Sequence, residues 1–206
     1  MKIIFWNVDT QFDFMRKEGK LYVQDAELIE PNLKLLTDSA KQYNIQVINS
    51  ADSHTKYSKE LSDTPDFQNT FPRHCIIDTP GFEYIEATKP EKPYIVHYKD
   101  EILNSKKTIN TRNIVIYKDV FDVFAGNKHT KEIVKLINPE VIICFGVAGN
   151  VCVDQAVSGL LKMKKQIIVV EDAIKELPSI PSTKEKWLEN GVIFMDTEEI
   201  LEWIKE

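Results

Sequence analysis

Seven short apolar stretches punctuate the chain, at residues 2–8, 45–50, 94–98, 112–117, 140–146, 166–171 and 191–195. They are rich in Ile and Val and run almost continuously apolar instead of alternating with polar positions. Runs of that length predict strands, and the missing polar face predicts strands covered on both sides. Between them, residues 26–43, 128–137, 150–164, 182–190 and 197–205 carry apolar positions three and four apart, the spacing of amphipathic helices. Strand and helix in alternation predict an α/β fold, a doubly wound parallel sheet of about six strands flanked by helices.

The rhythm breaks once. Residues 52–92 hold Pro65, Pro72, Pro80, Pro90 and Gly81 among many Ser, Asp, Thr and Lys residues, with little periodicity. An excursion of that length inside a compact domain is usually functional or disordered. This one carries His54, His74 and several aromatic residues, which favours a binding role. No repeat or low-complexity tract divides the chain, so residues 1–206 read as a single domain with a metal-binding loop excursion at about 52–92.

Bulk properties narrow the partners. The net charge of −6 and the absence of a basic block argue against nucleic acid. No apolar run is long enough to span a bilayer, and the N-terminus leads directly into a carboxylate-bearing segment, so a cytoplasmic protein without a membrane partner is expected. Three cysteines, Cys75, Cys144 and Cys152, are too few for a disulfide framework and are expected to be reduced. A small-molecule ligand remains the expected partner.

Reactive side chains collect at the ends of the predicted strands. Asp9 follows IIFWNV, Asp52 follows IQVINS, Lys118 follows RNIVIY and Cys152 follows VIICFG by a short turn. In an open parallel sheet those ends share one rim, where ligands bind. A thiol at the start of a helix is expected to have a lowered pKa and to serve as a nucleophile. Buried packing is the competing role for Cys152, and is the expectation for Cys144 within its strand. Cys75 is open between packing and metal binding. Asp9 is the candidate acid and base for the thiol, with Gln11 and Asp13 as supporting hydrogen-bonders, and Lys118 is the candidate cation balancing thiolate and carboxylate. Asp52 and His54, two apart in extended chain, can face one side and bind a metal, with His74 returning through the loop as a third ligand. Zinc is the first choice for that set, with iron or manganese as alternatives. His97 and His129 are assigned to structure or surface.

Five segments in order resemble the cysteine hydrolases of the isochorismatase-like superfamily, nicotinamidases most of all: VDTQFDFMRKEGKLYV, ADSH, TFPRHC, IYKDVFDVFAGN and GVAGNVCVDQAV. The resemblance implies a catalytic triad of Asp9, Lys118 and Cys152 and a cis peptide between Val147 and Ala148. It also implies an oxyanion hole from the amides of Ala148 and Cys152, and Asp52, His54 and His74 as ligands of a divalent metal. The activity implied is hydrolysis of a small, heteroaromatic primary amide to acid and ammonia through a cysteine thioester. Phe14, Phe71 and Phe121 are the candidates for stacking on that ring. Relatives assemble as dimers or larger, so a homo-oligomer is implied as well. Ser53, Thr55 and Phe71 stand where nicotinamidases usually carry tryptophan, proline and tryptophan. A hydrolase of ureido or N-carbamoyl compounds, or a catalytically silent binding protein, are the alternative readings.

Overall fold

The computed structural model describes residues 1–205. Seven parallel strands form one sheet: β1 (Ile3–Val8), β2 (Gln46–Asp52), β3 (Tyr94–Val96), β4 (Asn113–Lys118), β5 (Val141–Val147), β6 (Gln166–Lys175) and β7 (Ile193–Met195), in the order β3-β4-β2-β1-β5-β6-β7. All seven predicted strands are present, with the two edge strands shortened to three residues each. The helices are α1 (Phe12–Met15), α2 (Glu30–Gln42), α3 (Ser105–Asn110), α4 (Val123–Gly126), α5 (Thr130–Ile137), α6 (Asp154–Lys162), α7 (Lys184–Glu189) and α8 (Thr197–Trp203).

Because side chains along a strand point alternately to opposite faces, each central strand feeds two cores. Ile4, Trp6 and Val8 of β1 join Ile48, Ile116 and Cys144 on one face, beneath Ile133 and Val134 of α5, Val157 and Leu160 of α6 and Trp187 of α7. Phe5 joins Val47, Ile143 and Phe145 on the other, beneath Leu33, Leu36 and Ala40 of α2 and Ile200 of α8. Trp203 packs against this second core, as does Cys75 within it. The two-sided burial accounts for the absence of polar alternation in the sequence.

Three helices lie outside the predicted segments: α1, α3 and α4. Each spans at most six residues, too short for a helical period to register. Side-chain caps start two of them, Asn104 accepting from the Lys107 amide and Asp122 from the Phe124 amide. The predicted helix at 26–43 begins as a 3-10 turn, Ala26–Ile29, before α2. Strand β6 runs past the predicted end at 171 because an irregularity in its pairing shifts register, Cys144 facing Val169 but Gly146 facing Ile174. The polar residues Glu171 and Asp172 fall in that interruption.

The chain builds outward from β1 to β2 and β4, then returns to place β5 on the opposite side of β1. The sheet therefore reverses its winding between β1 and β5, and a crevice opens at their C-terminal ends. Gly146 permits the approach there: its φ is +119°, and a Cβ would stand 2.1 Å from the Val8 carbonyl oxygen.

Candidate active site

Four adjacent strands, in the order β4-β2-β1-β5, deliver Lys118, Asp52, Asp9 and the turn bearing Cys152 to that crevice. Asp52 and Lys118 are register partners across the β2–β4 pairing, so their side chains emerge side by side. Asp9 lies one residue beyond β1, with φ +48°. Short polar side chains such as aspartate tolerate that left-handed backbone better than most. The Ser50 hydroxyl donates to Asp9 Oδ1 at 2.6 Å, and Lys118 Nζ lies 2.9 Å from Asp9 Oδ2. Lys118 also donates to Asp52 Oδ1 in its shortest contact. Asp9, Asp52 and Lys118 are all essentially inaccessible to solvent.

The ammonium thus bridges two carboxylates, an arrangement the sequence reading did not contain. Although burial favours neutral lysine, the charges of Asp52 and Asp9 hold Lys118 well above its ordinary pKa. Burial raises the Asp52 carboxyl, but Lys118 and the two histidines more than compensate and leave it well below the usual carboxylate range. Asp9 resolves the other way: burial outweighs the attraction of Lys118, and its pKa is raised.

Cys152 sits in a π-helical turn, Gly149–Val153, immediately before α6. Burial pushes its thiol well above the ordinary value, against the opposing charge of Lys118. The expected lowering by a helix N-terminus is thus opposed by desolvation of the thiolate, the larger influence on this thiol. Cys152 retains 7% exposure while Cys75 and Cys144 retain none. The Val147–Ala148 peptide is cis. The Asn150 side chain donates to the carbonyls of Leu177 and Ile180 at 2.9 and 2.7 Å and accepts from the Leu177 amide at 2.9 Å, lashing the thiol turn to the segment after β6.

Asp52, His54 and His74 come together, and Glu60 joins them: one donor atom from each lies within 4.8 Å of the others. His74 Nε2 is 3.3 Å and His54 Nε2 3.8 Å from Asp52 Oδ2, while Glu60 Oε1 is 3.8 Å from His54 and 4.0 Å from His74. Two ligands each about 2.0–2.2 Å from zinc stand about 3–4 Å apart, so the set has the size of a coordination shell. His54 supplies a further sign, since both ring nitrogens are buried and without a hydrogen-bond partner among the described residues. His74 Nδ1 lies 2.7 Å from the Pro72 carbonyl, which fixes that nitrogen as the N–H donor and leaves Nε2 free to ligate. These residues fit a divalent cation. Glu60 was missed because a glutamate in SKEL, inside an aperiodic loop, carries no spacing signal. Burial and the adjacent Asp52 charge raise its pKa to about 8.

The supporting residues have distinct tasks. Gln11 clamps the end of β2, donating to the Asp52 and Phe82 carbonyls and accepting from the Asp52 amide. Asp13 accepts from the Cys75 amide at 2.7 Å and so positions the residue after His74. That contact requires Gly81, where a Cβ would stand 2.1 Å from Asp13 Oδ2. Cys75 donates no ligand to the cluster. His129 is a buried structural residue whose Nε2 lies 2.8 Å from the Asp100 carbonyl, and His97 stacks near Tyr98 and Tyr117.

A cleft of about 340 Å³, its open mouth included, leads from the surface to Cys152, Asp52, Glu60 and His74. Phe14, Phe71 and Phe121 all line it, together with Leu21, Val23, Ala148, Val151 and Leu177. Ring centroids of Phe71 and Phe121 are 6.0 Å apart and those of Phe14 and His74 5.3 Å apart, which makes a narrow aromatic slot.

The class this defines is an open, parallel α/β sheet with a thiol, a carboxylate and an ammonium converging on its C-terminal rim. Residues 4–189 match the isochorismatase domain model, and the chain belongs to the isochorismatase family. Among solved structures, N-carbamoylsarcosine amidase from Thermoplasma acidophilum superposes with a TM-score of 0.74 at 19% identity, covering 96% of this chain and 98% of that one. The nicotinamidase/pyrazinamidase of Bacillus subtilis gives 0.72 at 20% identity, covering 95% and 100%. The pyrazinamidase of Pyrococcus horikoshii, solved in complex with zinc, gives 0.71 at 20% identity, covering 95% and 99%. No curated protein matches the sequence significantly. Among the described residues, no helix is long and apolar enough to cross a membrane.

Proposed function

We propose that the protein is a nicotinamidase-like amidohydrolase that converts a small heteroaromatic primary amide to the acid and ammonia. The reading rests on one juxtaposition: Cys152, next to Asp9 and Lys118, lines an aromatic cleft that is also lined by Asp52, Glu60 and His74. The cleft is lined chiefly by apolar and aromatic side chains with a few convergent polar groups, the composition of a small-ligand site.

In this mechanism Asp9 accepts the thiol proton as Cys152 Sγ bonds to the amide carbon. The burial that raises both groups keeps the proton on the pair until substrate arrives. Amides of Ala148 and Cys152 receive the oxyanion. Asp9 returns the proton to the departing nitrogen, the carbon–nitrogen bond breaks, and ammonia leaves a thioester. Asp9 then takes a proton from water as its oxygen attacks the thioester carbon, and the acid departs as the thiol is restored. Lys118 offsets one negative charge of the site through both halves of the cycle. Asp52, His54, Glu60 and His74 would hold a divalent ion, zinc being the first choice, and a bound ion supplies a Lewis-acidic point for a ring nitrogen or water.

The lining favours this substrate over an N-carbamoyl amino acid. Neither lysine nor arginine lines the cleft among the described residues, so away from the cation cluster a substrate carboxylate would find no cationic partner. Purified protein should release ammonia from nicotinamide or pyrazinamide with a kcat/KM at least about a hundredfold above that for N-carbamoyl amino acids, the discrimination expected of a missing charge partner. Ammonia from the carbamoyl compounds alone would sink the assignment.

A further inference from the structure

Glu60 joins two parts of the site through separate atoms. Oε1 faces His54 and His74 in the cation cluster, whereas Oε2 accepts the Phe121 amide at 2.6 Å. The Glu60 carbonyl accepts the Phe71 amide at 2.8 Å, and the Ser62 amide returns to the Phe71 carbonyl at 2.9 Å. One residue therefore carries both phenylalanine walls of the slot, Phe121 by its side chain and Phe71 by its backbone.

The other three donors are held independently of it. Asp52 ends a strand and is clamped by Gln11. His54 and His74 are fixed by the bridge of His54 with Ile76, by the bond from the His54 amide to the Cys75 carbonyl, and by Pro72. The stretch 53–79 contains no strand or helix, only isolated bridges, so Glu60 is placed by point contacts that each carry weight. Its carboxylate stands beside Asp52 in a buried site, where two negative groups repel unless a cation separates them.

We propose that Glu60 is a positioning residue that couples cation binding at Asp52, His54, Glu60 and His74 to the placement of Phe71 and Phe121. Oε1 would be held by a bound divalent ion while Oε2 keeps the Phe121 amide, so ion binding would hold the aromatic slot in the arrangement seen here. The proposal rests on the cluster being a cation site and is independent of which amide is hydrolysed.

Hydrogen–deuterium exchange on the whole protein, dialysed against chelator and then titrated with zinc, tests the coupling. Zinc should slow exchange of the Phe121 amide and of residues 60–71 by about tenfold or more, while amides of β1 and β5 stay unchanged as the control for folding. In Glu60→Ala the remaining three donors should still take zinc at higher concentration, yet exchange at Phe121 should stay fast with the ion bound. Glu60→Gln, which keeps a carbonyl oxygen for the amide, should restore protection at Phe121 but lose its zinc dependence. Zinc binding to the wild type with no change in exchange would overturn the coupling alone. A wild type that binds no zinc by elemental analysis would overturn the cation site and the proposal with it. Glu60→Ala with undiminished zinc affinity would show that Glu60 is merely structural, which also refutes it.

Discussion

Replacing Lys118 by methionine tests the electrostatic core of the site. The substitution keeps an unbranched apolar side chain one atom shorter and deletes the one ammonium that bridges Asp9 and Asp52 in a fully buried setting. Removing one member of a buried ion pair typically costs about 3–5 kcal/mol, because the partner charge is left uncompensated. For a chain of this size each kcal/mol moves the melting temperature by about 2–4 °C, so the metal-free variant should melt about 6–20 °C lower. The loss should depend on pH with a definite sign. In the wild type Asp52 lies below its ordinary pKa, so its contribution is present above the unfolded carboxylate pKa and is lost as pH falls from there through the lower folded value. Without Lys118 both carboxylates gain protons more readily in the folded state, so the variant should recover stability as pH drops and lose most near and above neutrality. Thermal melts of both proteins in chelator at pH 5 and pH 8 measure this, and ammonia release should fall by about 10²–10³-fold. A deficit below about 1 kcal/mol, equal at the two pH values, would refute the shared-ammonium account.

Three further outcomes follow from the same geometry. Cys152→Ala should abolish ammonia release while melting near the wild type. In the wild type iodoacetamide should modify Cys152 before Cys75 and Cys144, with a rate that climbs into the alkaline range because burial raises that thiol; equal labelling of all three would contradict it. Asp52→Ala should lose bound metal by elemental analysis, and unchanged metal content would count against the ligand set. Asn150→Ala orphans two carbonyls and one amide, at a cost of about 1–3 kcal/mol. Because Leu177 lines the cleft, it should raise KM more than it lowers kcat, and an unaltered KM would show that the lashing does not shape the pocket.

How much of the site could be read in advance depended on how each residue is placed. Asp9, Asp52 and Lys118 were visible because apolar runs end at them, and a parallel sheet carries all such ends to one rim. Phe14, Phe71 and Phe121, the candidates for stacking on a flat ring, all line the cleft. Glu60 offered nothing comparable: it lies six residues past His54 in a loop whose path is set by isolated bridges to Phe71 and Ile76. The burial acting on the Cys152 thiol was not legible either, since a helix start is a local feature whereas desolvation sums over everything packed around the sulfur.

The amino-acid order alone determined the layered α/β class, because strand and helix periods are local and two-sided burial leaves its mark as unbroken apolar runs. It also determined which strand ends bear reactive groups. Only the folded chain decided that one ammonium serves two carboxylates, that a loop glutamate completes the histidine cluster, and that the same glutamate holds the aromatic walls. Lys118 meets Asp52 66 positions away and Phe121 meets Glu60 61 positions away, contacts that strand order, register and the path of an aperiodic loop bring about and that no local pattern encodes.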